Sequence, residues 1–181
     1  RYAGFWPRLG AILVDMIVLA PVFALAFWSL TASRTTALLV EVLIAFAFSF
    51  YNIYFIGRWG QTLGKMALKI RVVRLDGEDA GFRRAFYRHA VDLAFSVATS
   101  ALSIYALLSV SNYEYTMLAF EARVALVEDR TGAWIDVLNW LSVAWVASEL
   151  VVLMLNEKRR ALHDYIAGTV VVHTSEAAVA V

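Results

Sequence analysis

Four stretches of this chain, over about 8–30, 36–56, 90–110 and 135–155, are almost wholly apolar. A helix of roughly 20 predominantly apolar residues is what crosses the hydrocarbon core of a bilayer. One such run could be the core helix of a soluble protein. Four of them in 181 residues leave no polar faces from which to build a water-facing surface. Hydrophobic residues make up 61% of the chain and charged ones only 17%, where soluble chains average about half and about a quarter. The expected fold is an all-α polytopic membrane protein with four transmembrane helices in one domain over 1–181. The first run does not read as a secretory signal: Asp15 sits in its centre, Phe23, Phe27 and Trp28 are bulky, and no small-residue cleavage site follows. The chain opens at Arg1 rather than Met, so further residues are expected ahead of it.

Orientation follows from the basic residues, because Lys and Arg concentrate in cytoplasmic loops. Of the sixteen Lys and Arg, only Arg34, Arg123 and Arg130 fall on the side that also carries Glu114, Glu121, Glu128 and Asp129. The rest lie ahead of the first run, between the second and third, or after the fourth. Both termini are therefore expected in the cytoplasm, in agreement with an even number of crossings.

The connections differ in kind. "ALKIRVVRLDGEDAGF" has the alternation of a strand ended by an Asp-Gly turn, and "GTVVVH" (168–173) is a second β-type run on the same side. The two are expected to pair into a small cytoplasmic β element. "FRRAFYRHAVD" (82–92) reads as a basic amphipathic helix feeding the third run, with anionic lipid as its natural partner. On the external side, 111–134 is amphipathic in places and is expected to include an interfacial helix, with Trp134 at headgroup level. In the third run Ser96, Ser100 and Ser103, beside Ala94, Ala98 and Ala101, form a small-residue face suited to close helix approach.

Ionisable groups at membrane depth are costly and mark either function or an internal partner. Asp15 lies seven residues beyond Arg8, about 10 Å deeper on the same helix face. Glu149, in the fourth run, comes to a similar depth from the other direction. Asn52 and Asp92 also fall in the inner half, and Glu41 in the outer half. Two readings stay open. In one the polar groups satisfy one another and lock helix packing; in the other Asp15 and Glu149 share a proton or bind a cation during transport, with Asn52 beside them.

Other chemistries find no footing. There is no cysteine, which removes thiolate catalysis and the usual zinc sites. "GQTLGK" (60–65) has three residues between its glycines and Met66 where a phosphate loop needs Ser or Thr. Its glycines read instead as a tight turn at the membrane. His89, His163 and His173 lack ligand spacing. No catalytic residue, metal, cofactor or nucleic-acid partner is expected, and the chain is not read as an enzyme.

"YAGFWPRLGAILVD" (2–15), "GQTLGKMALKIRVVRLDG" (60–77), "FRRAFYRHAVD" (82–92) and "NEKRRALHDYIAGTVVV" (156–172) together resemble the RDD family of bacterial membrane proteins, named for one arginine and two aspartates. The matching positions are Arg8, Asp15 and Asp164. The resemblance implies a multi-pass protein of the bacterial inner membrane and an Arg8–Asp164 salt bridge that ties the C-terminal segment to the first helix. It also implies transport, with cation/proton exchange suggested for the family. The alternative is a non-catalytic scaffold or accessory subunit that binds lipid or a partner protein. Four helices are few for a stand-alone transporter, so a homo-oligomer or a membrane partner is expected as well.

Overall fold

In the computed structural model the described residues are 2–174. Four long helices dominate: α1 (Phe5–Thr31), α2 (Arg34–Trp59), α4 (Gly81–Leu108) and α7 (Ala133–Leu155), each long and apolar enough to cross a membrane. Between them lie α3 (Leu63–Ala67), β1 (Ile70–Arg74), α5 (Asn112–Met117) and α6 (Phe120–Thr131), followed at the end by α8 (Leu162–Ala167) and β2 (Thr169–His173). The basic segment 82–92 and the third apolar run form one continuous helix, because no Gly or Pro interrupts the chain from Phe82 to Leu108. Large apolar side chains point outward, as on Ile17 (74% exposed), Leu39 (69%) and Leu155 (80%). A water-soluble fold would bury such residues; lipid leaves no reason to.

The chain forms two compact units. Among the described residues, one comprises 2–19, Ser49–Val91 and 144–174; the other comprises Ala20–Phe48 and Asp92–Val143. Each long helix lends a stretch to both.

The first unit is built on the antiparallel pair β1–β2, in which Ile70 faces His173 and Arg74 faces Thr169. Tyr2 bridges to Val172, and the Ala3 amide donates to the Val171 carbonyl (2.8 Å), so the chain ahead of α1 extends the sheet edge. The inward side chains Ile70, Val72 and Val171 pack with Ala3, Ala11, Ile56 and Ala85. Gly168 closes α8 at φ +65°, a left-handed position that glycine takes without strain, and turns the chain directly into β2.

In the second unit Ser33 caps α2 by accepting from the Thr36 amide (3.2 Å), and Ser111 caps α5 by accepting from Glu114 (3.0 Å). The segment expected to be interfacial is the helix pair α5–α6. Tyr115 is fully buried against Ala37, Leu107 and Val110. The serine face of α4 packs as its spacing indicates, with Ser96 donating to the Ala45 carbonyl (2.9 Å) and Ser100 buried.

Candidate functional site: a buried charge network in the sheet-bearing unit

Asp164 is the centre of the first cluster and is fully buried. As the third residue of α8 its Oδ2 accepts from the Ala161 amide (3.0 Å), so it caps its own helix. The same oxygen takes the Arg8 guanidinium (2.7 Å). Oδ1 takes Arg88 and the Thr169 hydroxyl (3.1 Å). Burial alone would raise this carboxyl, but the fields of Arg88, His163 and Arg8 outweigh it and hold Asp164 well below the usual range. The arginines are themselves fastened to backbone. Arg8 donates to the Ala3 (3.1 Å) and Arg159 (2.6 Å) carbonyls. Arg84, one turn before Arg88 on α4, donates to the carbonyls of Ala167 (2.8 Å) and Gly168 (3.2 Å). The cluster thus joins α1, α4, α8 and β2.

Asp15, one turn beyond the buried Ala11 on α1, anchors the "GQTLGK" turn. Its Oδ1 accepts from the Tyr51 hydroxyl (2.6 Å) and the Gly64 amide (2.7 Å), and its Oδ2 from the Thr62 hydroxyl (2.6 Å). Thr62 caps α3 by accepting from the Lys65 amide (3.3 Å). Gly64 is required by proximity: a Cβ there would overlap the Ala11 carbonyl oxygen and lie 2.8 Å from Asp15 Cγ. Among the described residues the Lys65 ammonium reaches the Thr62 hydroxyl (3.4 Å). Burial, reinforced by Arg88, lowers it to about 8.

The third element is Glu149 on α7. Its Oε1 meets His163 Nδ1 at hydrogen-bond distance and accepts from the His163 amide (3.4 Å). Burial, then Arg88, lowers the imidazole's affinity for a proton. With Glu149 ionised, Nδ1–H donates to it, which leaves Nε2 without a hydrogen-bond partner, 3.9 Å from Asp164.

The family-motif residues Arg8 and Asp164 are therefore an ion pair, and Asp15 is held by a separate set of donors. Asp15 and Glu149 take different partners, α3 and Tyr51 for one and His163 for the other. Asn52 is buried in α2 next to Tyr51. Sequence reasoning missed Arg88, Tyr51, Thr62 and His163. The basic pattern of 82–92 suggests a lipid-facing Arg88, but Arg88 is 4% exposed and turned to Asp164. Its signal was the i, i+4 spacing of Arg84 and Arg88 beside small Ala85, on the face away from Phe82, Arg83 and Phe86.

A model of the RDD family matches residues 2–168. Among curated proteins, the uncharacterized protein YckC of Bacillus subtilis (strain 168) is 25% identical over 174 residues, which cover 96% of this chain and 85% of that protein. No solved structure matches.

Proposed function

Because the chain belongs to the RDD family of membrane proteins, we propose that it is a transporter that exchanges a cation for protons across the bacterial inner membrane, with both termini cytoplasmic. The observation that carries this reading is the Glu149–His163 pair. It sets a carboxylate on a membrane helix against an imidazole whose second nitrogen is unoccupied. A partly buried carboxylate bonded to an imidazole that burial keeps in its neutral form is suited to pass a proton between the two groups. Asp15 is the weaker candidate for release, since three donors already hold its two oxygens. The reading needs no catalytic residue and no cofactor. Exposed Arg58, Arg83 and Lys158 are suited to anionic headgroups on the cytoplasmic face.

The test is purified protein in liposomes carrying a trapped pH-sensitive dye, challenged with sodium, potassium and lithium gradients. Cation-driven proton movement that is lost in a folded Glu149→Gln variant supports the proposal. Silence with every cation from folded wild-type protein rejects it. A second reading, a non-catalytic scaffold, is favoured by the complete hydrogen bonding of Asp15 and Asp164, which is what a packing lock requires. It expects a stable membrane partner to co-purify.

A further inference from the structure

Of the four spans α7 is the least covered: 6% of its apolar window is buried, against 17%, 28% and 17% for α1, α2 and α4. The surface it leaves open is not purely apolar. Asn139 lies on it, exposed, and makes no hydrogen bond among the described residues. It stands six residues into the helix, about 9 Å from its start and roughly 7 Å past Trp134, whose exposed indole is suited to the headgroup level. A carboxamide at that depth has little water to satisfy two donors and an acceptor, and an unmet amide in hydrocarbon is costly. From Asn139 the spacing four, three, four leads to Val143 (58% exposed), Val146 (51%) and Leu150 (39%). That is the seam of a left-handed helix pair, in which a single Asn fixes register and partner number.

We propose that α7 pairs with α7 of a second copy of this chain, in parallel, with the two Asn139 amides bonded to each other across the two-fold axis. Depth selects the occupant. Copies inserted with the same topology carry Asn139 at the same level by necessity, whereas an unrelated protein would need a polar group there by coincidence. A carboxamide is also its own complement, donating through nitrogen and accepting through oxygen. Valines at 143 and 146 add stiff, low-entropy packing surface along the seam. Asp136, one turn nearer the aqueous side, flanks the seam where water screens it.

The lack of any cysteine makes the test clean. Single cysteines at 139, 143, 146 and 150 are compared with 138 and 145 on the other face of α7, and with 17 on α1, in the full chain reconstituted at low protein-to-lipid ratio. Disulfide dimers are expected at the four seam positions and not at the other three. Independently, Asn139→Leu, which keeps the size and does not weaken the helix, should weaken dimerisation about tenfold when monomer and dimer are counted across a dilution series in bilayers. A wild-type protein that stays monomeric throughout the series overturns the proposal. So does cross-linking as strong at 17 as along α7, or a dimer that Asn139→Leu leaves unchanged.

Discussion

The two units both use arginine as a fastener, but they aim it at different acceptors. In the sheet-bearing unit Arg8 and Arg88 converge on one carboxylate, Asp164. In the other unit Arg123 grips backbone carbonyls, those of Leu118 (3.0 Å), Leu30 (2.9 Å), Ala32 (3.0 Å) and Thr116 (3.2 Å), while stacking over Tyr115 at 4.8 Å. Arg34 likewise donates to the Val110 carbonyl. A carbonyl is a fixed dipole that asks nothing of pH. A carboxylate carries a charge that must be kept, and losing it leaves two guanidiniums facing each other in a buried place. Fastening to a carboxylate is stronger and more brittle; fastening to carbonyls is weaker and tolerant.

The largest effect is therefore expected at Asp164. Asp164→Asn keeps the shape and removes the charge, stranding Arg8 and Arg88, and should cost about 3–5 kcal/mol. Thermal unfolding in detergent, followed by size-exclusion chromatography, would show it as loss of the monodisperse peak well below the wild-type midpoint. Wild-type behaviour of this variant would refute the claim that the cluster locks the unit. Gly64→Ala comes next, at about 3 kcal/mol, since the added methyl both overlaps α1 and pushes the α3 amide off Asp15. Asp15→Asn should cost less than Gly64→Ala, because its amide can still accept from Tyr51 or Thr62. The reverse order would show that charge, not fit, holds the turn.

Much of this arrangement was legible in the chain. The four spans and the pairing of 70–74 with the C-terminal strand follow from local signals, apolar length and alternation ended by Asp-Gly, while Arg8 with Asp164 came from the family resemblance. The partners of the charges were not, for a physical reason. Tyr51, Thr62 and Gly64 reach Asp15 from 36 to 49 positions away, and Arg88 reaches Asp164 from 76. Nothing local in a tyrosine within an apolar run marks its hydroxyl as the donor to a buried acid. His163 was hidden by its neighbour: beside Asp164 it invites a pairing that adjacent side chains cannot make well, while its partner Glu149 lies one helix back.

Acid separates the two kinds of fastening again, with a smaller effect. The folded state lowers the proton affinity of His163, so the unfolded chain binds the proton first. Stability from this group is fully present above the ordinary histidine value near 6.5 and falls as the pH drops from there toward the lower folded value. The slope is at most about 1.4 kcal/mol per pH unit. Asp164, held low, adds no slope until the pH falls into the ordinary carboxylate range, where the unfolded chain begins to take up its proton. Unfolding midpoints measured from pH 7.5 to 5 should decline in the wild type and stay flatter in His163→Gln. Parallel curves would mean that the imidazole takes no part.

The smallest effect is expected at Arg123. Arg123→Gln gives up most of four hydrogen bonds and the stack on Tyr115, but water at the membrane surface can reach the freed carbonyls, so the net loss should be about 1 kcal/mol. More telling than its size is its shape. Among the described residues no carboxylate bonds to Arg123, so the loss should be the same at pH 5 and pH 7.5. In double variants with His163→Gln the two losses should add, since among the described residues Arg123 and His163 share no bonded partner. A cost that grows in acid, or a clear departure from additivity, would mean that carbonyl-held and carboxylate-held arginines are parts of one coupled network.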